Sequence, residues 1–258
     1  MSYEHLYRIR DYFRFSISEQ RQLLVSAILF GFILSFRRWG GTEFNAQIGI
    51  NAWIFAFISI LIVMFCSISM QKIFALKQGY RMHYSWWFPG ILIGILISFL
   101  TFGTVPLIYP GATKFEHMKR LRLGRFRHGI NNFDMAMASI AGVVTNALIG
   151  LICGLIYYGT HNPYVLYFMH INFIYAFFTL IPIPKFKGLK LVEGATPGLH
   201  IYFYTRRLHT FILLSLICYW VLVSASTTFF PSLGLLILAM ILGVIGMFFY
   251  MKFADETI

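Results

Sequence analysis

The chain has 258 residues, of which 59% are hydrophobic and only 12% are charged, and its mean hydropathy is +0.72. Soluble globular domains are much more polar than this, so the composition excludes an ordinary soluble protein and predicts an integral membrane protein. The net charge of +12 would indicate nucleic-acid binding in a soluble domain, but basic residues in a membrane protein mark cytoplasmic loops beside anionic lipid, and we expect no nucleic-acid partner.

The predicted elements begin with an N-terminal segment, residues 1–20, that is polar, basic and aromatic. It has no small-residue cleavage site of a signal peptide, and we expect it to remain attached and to lie at the membrane interface. A membrane-spanning helix needs about 20 apolar residues. Seven apolar runs are candidates: 23–36, 48–70, 86–104, 135–158, 164–183, 211–230 and 233–250.

The distribution of loop charges argues against seven crossings. If every run crossed, fourteen Lys and Arg residues would lie on one side of the membrane and seven on the other. If residues 86–112 enter and return on one side, the numbers become nineteen and two, which the positive-inside rule favours. Prolines and glycines also interrupt this segment repeatedly. The sequence therefore predicts an all-α polytopic protein of the cell membrane, with six crossing helices, a re-entrant and partly non-helical hairpin, and both termini cytoplasmic; a seventh, kinked helix is the alternative.

This topology divides the chain into three parts. The N-terminal interfacial segment, 1–20, precedes a membrane core, 21–192, that contains the hairpin and a basic cytoplasmic segment, 114–129. Residues 193–258 form a cytoplasmic loop and two C-terminal membrane helices. Because apolar residues interrupt the basic segment, we expect it to lie on the lipid surface, with a surface for a soluble partner or RNA as the alternative.

Three motifs follow one another through the membrane core. "CSISMQK" and "ALKQG" end the second crossing helix, "SIAGVVTNALIG" lies in the third, and "LIPIPKFKG" ends the fourth. In their order, and in the Pro-x-Pro-x-x-x-Gly spacing of the last, they resemble the site-2 protease family of intramembrane zinc metalloproteases, especially its compact archaeal-type members. The resemblance covers roughly residues 48–191, and a hairpin between the first two motifs is also a trait of this family.

The resemblance implies an active site that this sequence lacks. The family carries His-Glu-x-x-His on the second helix, Gly-Pro-x-x-Asn on a later helix, and an aspartate zinc ligand in the Pro-x-Pro motif. Alignment on "ALKQG" puts Ser67, Ile68 and Gln71 at the His, Glu and His positions, and Lys187 stands at the aspartate. Val143 and Thr179 replace a family proline and asparagine. The retained motif positions are Gly142, Asn146, Pro182, Pro184 and Gly188.

The four substitutions change the chemistry of the site. A catalytic zinc needs three protein ligands and an open position for water. The hydroxyl of Ser67 and the amide of Gln71 are poor zinc ligands, and Ile68 cannot act as a general base. An ammonium group at Lys187 would repel a dication. We therefore expect no metal, no cofactor and no catalytic residue at these positions.

Other candidate sites are weaker. The eight histidines include no pair at a spacing of three or four, and the three cysteines, Cys66, Cys153 and Cys218, have unrelated spacings. We expect His170 and Asn172, in the fourth crossing helix, to form hydrogen bonds with a neighbouring helix. Asn146 either still holds a peptide or forms a hydrogen bond across the bundle. Small residues of the third crossing helix are expected to permit close helix packing: Gly142, Thr145, Ala147 and Gly150.

The sequence thus favours a pseudoprotease that binds a membrane-protein partner within the lipid bilayer, as an accessory subunit, chaperone or regulator of a membrane complex. Two alternatives stay open. One is an active hydrolase with relocated chemistry at Cys66, Ser67 or His170. The other is a small transporter or channel, which the seven apolar runs and the broken segments would also fit.

Overall fold

The computed structural model describes residues 3–40, 44–118, 129–187, 190–225 and 233–255. Within them the chain is an all-α polytopic membrane protein with a small sheet. Its helices are α1 (Tyr3–Tyr12), α2 (Ile17–Ser35), α3 (Ala46–Lys77), α4 (Phe88–Leu100), α5 (Asn132–Thr160), α6 (Pro163–Leu180), α7 (Pro197–Tyr204), α8 (Arg206–Ala225) and α9 (Leu233–Asp255). Its strands are β1 (Tyr80–Ser85), β2 (Ala112–His117), β3 (Pro184–Lys187) and β4 (Lys190–Ala195).

Six of these helices are long and apolar enough to cross a bilayer, namely α2, α3, α5, α6, α8 and α9. The shortest, α6, has 18 residues and therefore covers about 27 Å of the hydrocarbon layer. Large apolar side chains remain exposed along these helices, most of all on α9, as a lipid environment allows. The predicted six crossing helices are confirmed.

The re-entrant hairpin is also confirmed. Helix α4 has 13 residues, so it is about 20 Å long and too short to cross. Strands β1 and β2, which flank the hairpin, pair antiparallel from Tyr80 opposite His117 to Ser85 opposite Ala112. The chain therefore leaves this sheet, enters the bundle and returns to the same sheet. The alternative of a seventh crossing helix is wrong.

The hairpin lies along α2 over nearly its whole length. At its base, the backbone N–H of Trp86 donates to Gln22, and near its tip the rings of Phe99 and Phe36 are 4.8 Å apart. Gly103, with φ +72°, passes so close to the helical turn that follows α2 that a Cβ there would lie 2.7 Å from the backbone nitrogen of Arg37. From Gln22 to Arg37 the hairpin therefore reaches about 22 Å along the bundle.

The returning arm of the hairpin is non-helical, and its last residues, 108–111, are covered by protein. Ile108 and Tyr109 on this arm are buried, while Pro106 and Pro110 have no N–H group that would need a partner. Irregular backbone at membrane depth is tolerated only where protein covers it or water reaches it. Pro106 and Pro110 disfavour a helix in this arm, and they are compatible with the non-helical backbone that the arm adopts.

The four strands form one antiparallel sheet in the order β1-β2-β4-β3, which the sequence analysis did not predict. Thr196, just after β4, donates to the carbonyl of Ile181 at 2.7 Å and accepts from the N–H of Ile183 at 3.0 Å. These bonds attach the exit of α6 to the end of β4. The start of the predicted basic segment, from Lys114, is part of β2, and residues 119–128 of that segment lie outside the described chain.

A buried ion pair at the sheet end of the bundle corrects the predicted distribution of loop charges. The second predicted apolar run ends at residue 70, which puts Lys72 among the loop charges, but α3 continues to Lys77 and Lys72 is only 4% exposed. Its ammonium group is 2.8 Å from Glu19 on α2, whose carboxylate also accepts from the N–H of Tyr84 on β1. One carboxylate therefore joins α2, α3 and the sheet.

Candidate functional site

The positions aligned with the family's catalytic helix lie in the interior, where α3 crosses α5. Ser67, Ile68 and Gln71 are each at most 1% exposed. Ser67 and Gln71 are one helical turn apart, and the Gln71 side-chain amide lies 3.4 Å from the Ser67 hydroxyl, to which it donates. A Cβ added to Gly142 of α5 would overlap the Gln71 amide. Glycine is therefore what lets α5 approach α3 at this point.

A row of small and polar residues on α5 faces this crossing. Ser139, Gly142, Asn146 and Gly150 are spaced by three or four residues and therefore share one side of the helix. A Cβ at Gly150 would lie 2.9 Å from the ring of Phe173 on α6. The expected role of Gly142 and Gly150 in close packing is confirmed, since one admits α3 and the other admits α6.

Several polar atoms at this crossing have no hydrogen-bond partner among the described residues. They are the Gln71 oxygen, the Ser139 hydroxyl and both amide atoms of Asn146. We refer to Ser67, Gln71, Ser139 and Asn146 as the interior polar site. A buried polar group without a partner costs about 1–3 kcal/mol, and the protein shields these atoms from solvent. The interior polar site therefore has an unmet capacity to donate and accept hydrogen bonds.

The last of the three motifs lies at the sheet. Pro182 is in the turn after α6, and Pro184 begins β3 opposite Ala195 of β4. Lys187 ends β3, but its side chain lies outside the described residues, as does the whole of Gly188.

The donor set at the aligned positions does not fit zinc. A hydroxyl, an isoleucine and an amide supply neither imidazole nor carboxylate. In the described part of the chain, His, Cys, Asp and Glu side chains nowhere form a group of three that could hold a metal ion. The neighbour of the Ser67 hydroxyl is an amide, which cannot act as a general base for a relocated nucleophile.

The two polar residues of α6 differ in their contacts. The indole N–H of Trp220 on α8 donates to His170 Nδ1 at 3.0 Å, so the expected interhelical bond is confirmed for His170. Asn172 instead donates to the carbonyl of Phe168 in its own helix, at 2.9 Å. Its side-chain oxygen is buried without a described partner. The expectation of an interhelical bond is therefore wrong for Asn172.

Polar side-chain contacts on the sheet, which were not predicted, join β2 to β4 and β3 to β1. Lys114 lies 2.7 Å from Glu193 and 3.0 Å from Glu116, and these carboxylates raise the pKa of its ammonium group. Lys185 donates to the hydroxyl of Ser85 at 2.7 Å, and its pKa is lowered, first by burial and then by the charge of Lys114. These contacts cross the whole width of the sheet.

His200 of α7 is the buried titratable group beside this sheet. Its Nε2 lies 3.3 Å from the carbonyl of Thr113 on β2. Because that bond needs an N–H on Nε2, the neutral ring must carry its proton there. Burial lowers the pKa of His200 to about 4, so the ring is neutral at neutral pH.

Comparison with known proteins gives no relative. The chain matches no protein-family model, no curated protein and no solved structure. Its class, an all-α multi-pass membrane protein, rests on its six long apolar helices.

Proposed function

We propose that this protein is an inactive, site-2-protease-like membrane protein that acts by binding another membrane protein. The observation that carries the proposal is the contact between Gln71 and Gly142. These residues come from two motifs that are about 70 positions apart in the sequence. If the chain is related to the family, the motifs on α3 and α5 must lie in contact. If the short motifs are similar only by chance, no such contact is expected.

The residues at the crossing support the proposed absence of catalysis. Ile68 has no proton acceptor, and Ser67 and Gln71 provide neutral oxygen and nitrogen atoms instead of imidazoles. Retaining a dication there would require charged or strongly basic ligands. The protein is therefore proposed to be neither a zinc enzyme nor a hydrolase.

The partner-binding role is supported by the unmet hydrogen-bonding capacity of the interior polar site. Asn146 has both amide atoms buried without a described partner. A polar group from a second membrane protein that parts α3 from α5 locally would satisfy these atoms and recover part of their desolvation cost. An accessory subunit, a chaperone and a regulator all share this binding step.

The proposed orientation puts the sheet in the cytoplasm. With six crossings and a hairpin that returns to its own side, the proposed topology has both termini on one side of the membrane. By sequence position, two of the 21 Lys and Arg residues, Arg37 and Arg38, fall in loops that this topology assigns to the opposite side. The positive-inside rule then makes the sheet and both termini cytoplasmic, in the cell membrane.

The test is purification of the tagged full-length protein from its own membrane in mild detergent. We expect a membrane protein to co-purify at fixed stoichiometry and to be lost with Asn146→Leu. Val144→Leu, on the exposed side of the same helix, is the matched control and should retain the partner. Purified protein that holds stoichiometric zinc and cleaves a transmembrane peptide, with activity lost on chelation, would refute the proposal.

A further inference from the structure

A cavity of about 310 Å³ opens at the sheet end of the bundle, apart from the interior polar site. It lies between the end of α1, the link to α2, the start of α2, the C-terminal half of α3, and β1. Charged residues dominate its lining, including Asp11, Arg14, Glu19, Lys72 and Arg81. Nothing in the proposed function uses this cavity.

The floor of the cavity is the buried pair of Glu19 and Lys72, whose charges are already satisfied. Lys72 donates to Glu19 at 2.8 Å and to the carbonyl of Arg14 at 3.1 Å. The other oxygen of Glu19 accepts from the N–H of Ser16 at 2.8 Å. Because the charges of Glu19 and Lys72 cancel, the floor is rigid but has no net charge. The charged side chains of the walls therefore determine the net charge of the cavity.

The walls carry two guanidinium groups with their hydrogen-bond donors free. Neither Arg14 nor Arg81 has a side-chain hydrogen bond or ion pair within the described ranges. The Arg81 group lies over the ring of Tyr12, 4.5 Å from its centroid, which fixes its plane and leaves its N–H edges available. Asp11, a carboxylate of the lining, lies 3.9 Å from Arg10, which is not part of the lining and offsets its charge.

We propose that this cavity binds the phosphate group of an anionic phospholipid. Two guanidinium groups can each donate two parallel hydrogen bonds to phosphate oxygens. Leu76 and Met82 supply an apolar part of the lining. Ile17, which follows Ser16 of the cavity rim, is 68% exposed at the start of the first crossing helix. The phosphate site therefore lies where a lipid has its headgroup, with apolar surface beside it for the acyl chains.

The experiment is native mass spectrometry of the full-length protein in detergent, titrated with phosphatidylglycerol. The variant Arg14→Gln/Arg81→Gln should weaken lipid retention about tenfold, because charge-assisted hydrogen bonds are lost. The matched control, Arg206→Gln/Arg207→Gln, removes the same charge at exposed positions away from the cavity, and Arg206 also lies over an aromatic ring, that of Tyr202, at 5.6 Å. This control should bind like the wild type. Equal losses in both variants would mean nonspecific charge attraction and overturn the site.

Measurements on the wild type keep the proposal testable if a variant fails to fold. We expect phosphatidylglycerol to be retained at least tenfold more tightly than phosphatidylcholine, whose headgroup has no net charge. Inorganic phosphate and glycerol phosphate should bind more weakly than the lipid, since they do not contact the apolar surface. Equal retention of the two lipids would overturn the site, and tight binding of free phosphate would overturn the lipid as its ligand.

Discussion

Replacing Lys72 with methionine should be among the most destabilising single changes in this protein. Lys72 is 2.8 Å from Glu19, and both side chains are 5% exposed. At an effective dielectric constant of 20, that separation corresponds to a gross attraction of about 6 kcal/mol, which desolvation largely offsets. Removing only the lysine leaves a buried carboxylate without its counterion. We expect the free energy of unfolding to fall by about 3–5 kcal/mol.

A double-mutant cycle separates this effect from lost packing. The four proteins are the wild type, Lys72→Met, Glu19→Gln and the double variant, with reversible unfolding followed in mixed micelles. Because Glu19→Gln keeps an oxygen for the N–H of Tyr84, the double variant should be more stable than Lys72→Met alone. We expect a coupling free energy of about 2 kcal/mol or more. Effects that add to within about 0.5 kcal/mol would refute the claim that this ion pair holds α2 and α3 to the sheet.

Two further predictions concern the α3–α5 crossing and the sheet. Gly142→Val should lower the free energy of unfolding by about 2 kcal/mol, because the valine side chain would overlap Gln71. Gln71→Ala in the same chain should restore part of this loss. The control is Gly159→Val, at a position where a Cβ meets open space. His200 has a pKa of about 4 in the folded state, so its contribution to the free energy of unfolding is larger at neutral pH than at acid pH. This contribution is complete above pH 6.5 and is lost as the pH falls to 4, by about 3 kcal/mol at most. His200→Gln should flatten thermal stability over that pH range, and an unchanged pH profile would contradict the assigned cause.

The topology could be predicted because its signals are local. Apolar runs, loop charges and the prolines of the hairpin lie where they act, so six crossings and a re-entrant segment follow from the sequence. The sheet was missed because β1, β2 and β4 pair over long stretches of chain, and no local pattern specifies such pairing. Lys72 was placed in a loop for the same reason, since its partner Glu19 is 53 residues away.

The interior polar site was only partly visible in the sequence. Gly142 and Asn146 stood out through their motif, and Ser67 and Gln71 through alignment. Ser139 was missed, although its spacing of three from Gly142 and seven from Asn146 puts it on the same side of α5. That the polar atoms there lack partners depends on the packing of α3 against α5, which a sequence does not display.

Zinc content tests the central claim most directly. It should be measured on purified wild type and on a variant that restores the family's ligands through Ser67→His, Ile68→Glu, Gln71→His and Lys187→Asp, with folding checked by thermal unfolding. We expect essentially no zinc in the wild type and about one equivalent in the folded variant, since the restored donors complete a zinc site. Stoichiometric zinc in the wild type, or a folded variant that binds none, would contradict the account.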